Sequence, residues 1–200
     1  MDGSGIKVSG EVIVEKDGKV IEKKPFGPKS FVKSFAVHLL EHLVGWDYKD
    51  SFYDKDVGTG VLYTVPYHWG EEINVLAPSG EDQWGIRVGT SSQAVSPDDV
   101  DLIAPISHGT GAGQLLYGDS NETHDFTSLT MTITIQRYFD NNSGSDITVN
   151  EIGLFLKLRL HRPDGTVEEH ITMWARDVIT ATTVPNGGRL TVKYTIQINP

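Results

Sequence analysis

The C-terminal third of the chain carries the clearest pattern, an alternation of apolar and polar residues with the period of a β-strand. Large apolar side chains alternate there with Thr, Gln, Lys and Arg, which is typical of strands that are buried on one face. Turns rich in Gly, Asn, Asp and Pro separate four such segments, which are 129–136, 147–160, 167–178 and 190–198. Strands joined by short turns predict an antiparallel β-sandwich or a jelly-roll-like domain, and the chain is expected to be mainly β.

The parity of the apolar positions predicts which side chains face the core. Successive side chains of a strand point to opposite faces, so the apolar residues of one parity share a face. The core residues expected on this basis are Ile133, Ile152, Leu154, Ile196 and Ile198.

The first residues predict a β-hairpin. Asp17-Gly18 lies between two alternating segments, 8–14 and 19–22, and such a pair is a strong hairpin signal. We therefore divide the chain into a hairpin arm at 1–28 and a sandwich domain at 29–200. An isolated hairpin is marginally stable, so the arm is expected to be stabilised by a neighbouring subunit; the alternative is that it packs on its own sandwich.

Residues 30–44 predict one amphipathic helix. Ser30 is a suitable N-cap and Gly45 a suitable stop. Phe31, Phe35, Leu39 and Leu43 recur at a helical period. Such a wide apolar stripe is expected to pack on a sheet or on a partner.

Charge and composition exclude several functions. The 200 residues carry a formal net charge of -10, which is unfavourable for binding a phosphate backbone or an anionic membrane. No cysteine is present, so disulfides and thiolate chemistry are excluded. The first residues do not resemble a signal peptide, and no apolar run is long enough to span a membrane. We therefore expect neither nucleic acid nor membrane as a partner.

A possible metal site lies on the predicted helix. His38, Glu41 and His42 form an H-x-x-E-H pattern, which in inverted zinc peptidases holds Zn²⁺ between two His with Glu as base. Only five residues match, and no third ligand is evident. The alternative is that both His flank the apolar stripe, and we expect no cofactor, no metal and no enzymatic activity.

Two loops hold oxygen donors at spacings that resemble a calcium loop. One contains Asp54 and Asp56, and the other contains Asp140, Asn142 and Asp146. Neither has the closing bidentate Glu of the full motif. Asp, Asn and Gly also serve hairpin turns, so calcium stays an open alternative.

Aromatic and basic residues supply the candidate interfaces. Lys19, Lys23 and Lys24 form a basic patch on the hairpin of an otherwise acidic chain. Aromatic side chains follow the predicted helix, and aromatic residues anchor protein interfaces or stack on sugar rings. The aromatic interface candidates are Trp46, Tyr48, Phe52 and Tyr53.

A series of short pieces adds a resemblance over residues 30–200. These pieces are Ser-Phe-Val-Lys-Ser-Phe at 30–35, Gly-Ile-Arg-Val-Gly-Thr at 85–90, Ser-Pro-Asp-Asp at 96–99, Asn-Glu-Ile-Gly-Leu at 150–154 and Ala-Arg-Asp-Val at 175–178. Their order resembles that in small structural proteins encoded among the virion genes of tailed phages. The chain departs from this pattern at Ser91, where Gly is expected.

The resemblance implies membership of a virion that assembles in the host cytoplasm, but it implies no position within the virion. The leading hypothesis is an auxiliary capsid protein, such as a decoration or cement protein. The implied partners are the major capsid protein or other virion proteins, and a homo-oligomer is expected. A neck protein or a tail-fibre adhesin that binds host glycan through the aromatic loops is the alternative, and a zinc hydrolase is a more remote one. The resemblance supplies no catalytic residues.

Overall fold

A computed structural model describes residues 5–27, 53–55, 62–64, 70–127, 130–161 and 165–199. Within these ranges the chain forms strands and no helix, and all strand pairs are antiparallel. The alternating pattern therefore predicted the mainly β, antiparallel class correctly. The helix predicted at 30–44 lies outside the described residues.

The described strands are numbered in chain order. They are β1 (Gly5–Lys16), β2 (Lys19–Phe26), β3 (Tyr53–Lys55), β4 (Leu62–Thr64), β5 (Gly70–Asn74), β6 (Gly85–Gly89), β7 (Leu116–Phe126), β8 (Met131–Asp140), β9 (Ile147–His161), β10 (Val167–Val184) and β11 (Gly188–Asn199).

These strands form two large sheets and one small pair. The first sheet has the order β2-β1-β11-β8-β7. In the second sheet β9 pairs with β10 on one side and with β5 and then β6 on the other. The third group is the pair β3-β4. Long strands β8, β9, β10 and β11 correspond to the four alternating segments of the sequence.

The N-terminal hairpin is an integral part of the first sheet. Asp17 and Gly18 have φ of 51° and 71°, as a type I′ turn requires. β1 pairs with β11 from Gly5↔Asn199 to Lys16↔Gly188 and is an interior strand. Its Val12 and Val14 are among the core residues. Residues 5–26 therefore match the alternative in which the arm packs on its own domain.

One apolar core joins the two large sheets. Val14, Leu190 and Phe139 of the first sheet lie in the same buried cluster as Ile152 and Leu154 of the second. The core prediction for Ile152 and Leu154 is thus confirmed by their burial, at 0 % and 4 % exposed.

The core prediction fails at the far end of β11. Ile198 is 37 % exposed and Ile196 is only partly buried, whereas Ile133 of β8 is partly buried and packs against the core. The last cross-strand pair of the first sheet with both residues buried is Tyr194↔Ile135. Beyond this pair, apolar and polar residues still alternate along β8 and β11, and the two strands stay paired as far as Ile198↔Met131. The alternation therefore extends past the point where the side chains are fully buried.

Candidate functional site: buried arginines and the loop that they hold

Arg176 of β10 is a buried cation whose three guanidinium nitrogens all donate hydrogen bonds. Its side chain is 0 % exposed. Nε donates to Glu151 Oε2 at 2.8 Å, and Nη1 donates to Asp99 Oδ2 at 2.9 Å. Nη2 donates to the carbonyl of Gln93 at 3.0 Å. A buried charge is tolerated only when it is paired and hydrogen-bonded in this way.

The Glu151 carboxylate of β9 completes the network from the other side. It is also 0 % exposed, and it accepts backbone N–H groups from Ala104 at 2.8 Å, Ile103 at 3.2 Å and Ser91 at 3.3 Å. The neighbouring Asn150 donates from Nδ2 to the Thr90 carbonyl at 2.7 Å. Both ends of residues 90–104, which we call the clamped loop, are therefore attached to β9.

Backbone contacts close the clamped loop at its base. The Thr90 N–H donates to the Ala104 carbonyl at 2.9 Å, and the Ile106 N–H donates to the Val88 carbonyl at 2.9 Å. Within the loop, the Ser96 N–H donates to Asp99 Oδ2 at 2.8 Å. The same carboxylate oxygen thus fixes a turn and pairs with Arg176.

Arg137 of β8 forms a second buried centre, between the two large sheets. It is 1 % exposed and lies 4.9 Å from the centroid of the Tyr117 ring. Burial lowers the pKa of Arg137 to about 10, because desolvation disfavours the charged form. Its guanidinium donates to five backbone carbonyls at 2.5–3.1 Å, those of Pro78, Glu81, Trp84, Ile86 and Gly118.

These carbonyl contacts connect different parts of the fold. Gly118 belongs to β7 in the first sheet, whereas Ile86 belongs to β6 in the second. Pro78 and Glu81 lie in the connection that precedes β6. Arg137 therefore fastens this connection and both sheets to one another.

Arg87 of β6 anchors the clamped loop a third time. Its Nη1 donates to Asp101 Oδ1 at 2.8 Å, and its guanidinium lies 4.5 Å from the centroid of the Phe155 ring. The Asp101 carboxylate also accepts the Leu102 N–H at 2.7 Å. Salt bridge and cation–π contact together hold the loop against the outer face of the second sheet.

Several pieces of the sequence resemblance meet in this network. Arg87 and Thr90 belong to the piece Gly-Ile-Arg-Val-Gly-Thr, and Asp99 belongs to Ser-Pro-Asp-Asp. Glu151 belongs to Asn-Glu-Ile-Gly-Leu, and Arg176 belongs to Ala-Arg-Asp-Val. Sequence reasoning noted the pieces but missed the pairing of Glu151 with Arg176. The available signal was a charged residue directly before an apolar run, since Glu151 is followed by the apolar residues 152–156.

The clamped loop exposes apolar side chains while its polar groups are occupied inside. Val95 is 36 % exposed and Ile103 is 46 % exposed. Ile103 also donates its N–H to Glu151, so its main chain is fixed while its side chain faces solvent. The result is a fixed surface loop with two aliphatic contacts.

The predicted basic patch is partly neutralised within the chain. Lys23 Nζ lies 2.9 Å from Glu11 Oε1, and Lys24 Nζ lies 2.6 Å from Glu22 Oε1. Lys24 also donates to the Ala181 carbonyl of β10 at 2.8 Å, which links an edge of the first sheet to the second. Lys19 is the first residue of β2. Their role at an interface stays a prediction.

Most other predicted site residues lie outside the described ranges. This applies to Trp46, Tyr48 and Phe52 and to the metal candidates His38, Glu41 and His42. Tyr53 is the first residue of β3, and its backbone pairs with Thr64. The interface and metal roles predicted for these residues stay predictions.

The calcium-like turn at 140–146 uses its oxygens within the fold. Asp140 accepts both Nε and Nη2 of Arg189, at 2.6 and 2.8 Å, and Asp146 accepts the Asn186 N–H at 3.0 Å. Within the described ranges, no group of three or more His, Asp or Glu is arranged to hold a metal. The same part of the chain contains no helix long and apolar enough to cross a membrane.

In the comparisons with known proteins, no family model matches the chain, and no curated protein or solved structure matches it.

Proposed function

We propose that the protein is a structural component of a tailed-phage-like virion, an auxiliary capsid protein of the decoration or cement class. It acts through protein–protein contacts and has no catalytic role. One observation carries the proposal: several sequence pieces that resemble those of virion proteins converge on one buried network. That network fixes a loop whose aliphatic side chains Val95 and Ile103 remain exposed.

The physical argument is pre-organisation. A loop that is ordered before binding loses less conformational entropy when it docks, so more of its contact energy appears as affinity. Arg176, Glu151 and Asp99 supply that order through their mutual ion pairs. Their charges are occupied by each other and by the loop backbone, which suits a structural role better than proton transfer or metal binding.

The fold agrees with this role. Two antiparallel sheets around one core support the prediction of a β-sandwich, and we propose more specifically that its strands have a jelly-roll-like arrangement. A net charge of -10 favours a soluble protein that avoids DNA. The partner we propose is the major capsid protein, contacted through a surface with an apolar centre around the clamped loop.

A paired substitution tests the proposal. Val95→Lys with Ile103→Lys places two charges on the clamped loop, where a dry contact with the capsid would bury them. The matched control is Val20→Lys with Ile21→Lys on β2, where both side chains are 56 % exposed. Each variant is mixed with particles that lack the protein, and bound and free protein are separated by sedimentation.

We expect the wild type and the β2 control to sediment with the particles and the loop variant to stay in the supernatant. Circular dichroism melting should be alike for all three proteins. Equal binding by the loop variant would overturn the proposed surface. Failure of the wild type to bind particles, with binding to host-cell glycan instead, would replace the capsid assignment by that of an adhesin.

A further inference from the structure

We propose that the outer edge of β7 pairs with the β7 edge of a second copy, so that two five-stranded sheets join antiparallel about a two-fold axis. The chemistry of this strand carries the inference, which does not depend on the virion assignment. We call residues 121–126 the open edge, and 121–125 are the residues that pair between the two copies.

The open edge is fully accessible along its length. Every residue from 121 to 126 is exposed, whereas Tyr117 and Gly118 earlier in β7 are buried. Phe126 at its end is 64 % exposed. β7 lies at the border of the first sheet, so one side of its main chain has no strand partner among the described residues.

The other border of the first sheet has features that discourage strand addition. β2 carries three lysines and Pro25, and a β-bulge interrupts its pairing with β1 between Val14 and Glu15. Lysine, proline and bulges are the usual protection of sheet edges. The open edge has no Lys and no Pro, and its pairing with β8 is regular from Ser120↔Arg137 to Phe126↔Met131.

The main-chain direction at the open edge follows from Ser120. Its N–H donates to the Ala77 carbonyl at 2.8 Å and therefore points away from β8. Because N–H and C=O groups alternate between the two sides of an antiparallel strand, those of Glu122 and His124 also point outward. Ala77 occupies the edge at Ser120, so the outward donors and acceptors that lack a strand partner among the described residues begin at Glu122.

The charges of the open edge then select one register. A two-fold axis at Thr123 places Glu122 opposite His124 of the second copy, and the same pair forms again by symmetry. An axis at Glu122 would place two carboxylates opposite each other, which is unfavourable. Glu122 and His124 already lie on one face, with Oε1 and Nδ1 2.6 Å apart.

The register at Thr123 is also consistent on the other face of the strand. It places Asn121 opposite Asp125 of the second copy, an amide against a carboxylate, and Thr123 opposite itself. Because this register places residues with outward main-chain groups opposite one another, both Glu122–His124 pairs can form main-chain hydrogen bonds. The open edge is therefore self-complementary in both charge and hydrogen bonding.

Sedimentation equilibrium of the full chain over a range of concentrations tests this inference. The wild type should form a dimer. Glu122→Lys places Lys opposite His124 of the second copy and should weaken the dimer about tenfold or more. The double variant Glu122→His with His124→Glu exchanges the partners and should restore it. Val20→Lys on β2 serves as the control and should leave the dimer unchanged.

Three results would overturn the inference. They are a wild type that stays monomeric up to about 1 mM, a dimer unaffected by Glu122→Lys, and a charge exchange that does not restore association. Circular dichroism melting of each variant shows that a lost dimer is not a lost fold. Particle binding by a monomeric variant would leave the proposed function intact while removing the dimer.

Discussion

Replacing Glu151 by Gln tests whether the buried network holds the clamped loop in place. The change keeps the size of the side chain but removes its charge. At present the carboxylate accepts Nε of Arg176 and three backbone N–H groups, and no other group donates to it in the described structure. Gln offers only one acceptor oxygen and adds an NH₂ group, which faces other donors.

The expected cost follows from the burial of both partners. Removing one partner of a buried ion pair generally lowers the free energy of unfolding by about 3–5 kcal/mol. Arg176 keeps its contact with Asp99 at 2.9 Å, so we expect a loss of about 3 kcal/mol in the free energy of unfolding, at the lower end of that range. The loss should also be local, because the three N–H donors belong to the clamped loop.

Urea unfolding and amide hydrogen exchange measure these two effects. The amides of Ile103 and Ala104 should exchange faster in Glu151→Gln, since their acceptor is weakened. Asp140→Asn is the control, because its pair with Arg189 is 29 % and 45 % exposed and such pairs contribute about 1 kcal/mol or less.

A double-mutant cycle with Arg176→Met separates the pair from other effects. The double variant should lose at least about 1 kcal/mol less than the sum of the single losses, because each single change leaves one buried group without its partner. A loss below about 1 kcal/mol for Glu151→Gln, additive losses, or unchanged exchange at Ile103 and Ala104 would refute the reasoning.

Two further predictions concern the contribution of core residues to stability and the loss of stability at high pH. Leu154→Ala should cost about 2–5 kcal/mol in a urea titration, whereas Ile198→Ala at the exposed end of β11 should cost less than about 1 kcal/mol; similar losses would mean that the core extends further along the strand. Burial raises the pKa of Tyr117 from 10.0 to about 12, so the unfolded chain releases this proton first as the pH rises. Stability should therefore be highest below about pH 10 and fall towards pH 12, and Tyr117→Phe should flatten that fall; an unchanged slope would contradict the assignment.

Local signals in the sequence predict much of the strand content. Alternation in 190–198 lies within β11, and Asp17-Gly18 forms the expected turn with positive φ at both residues. Such features depend on neighbours in the chain, whose preferences act before any tertiary contact forms. The membership of β1 in the first sheet depends instead on its pairing with β11, at the other end of the chain.

Local sequence patterns could not predict which charged residues are buried. A strand pattern places charged residues on the solvent face, yet Glu151 and Arg137 are buried, because other strands and loops that are distant in the sequence supply their hydrogen-bond partners. Arg176 contacts Asp99 across 77 positions of the sequence. A charged residue next to an apolar run in a strand, such as Glu151 before Ile152, signals such a network, but it does not identify the partner.

The most direct test of the central claim is electron cryomicroscopy of particles with and without the protein. The account predicts additional density on the outer capsid surface, with the clamped loop at 90–104 facing the shell and the density missing when the gene is deleted. Identical particles in the two samples, or density that contacts the shell through another surface while the clamped loop faces solvent, would contradict it.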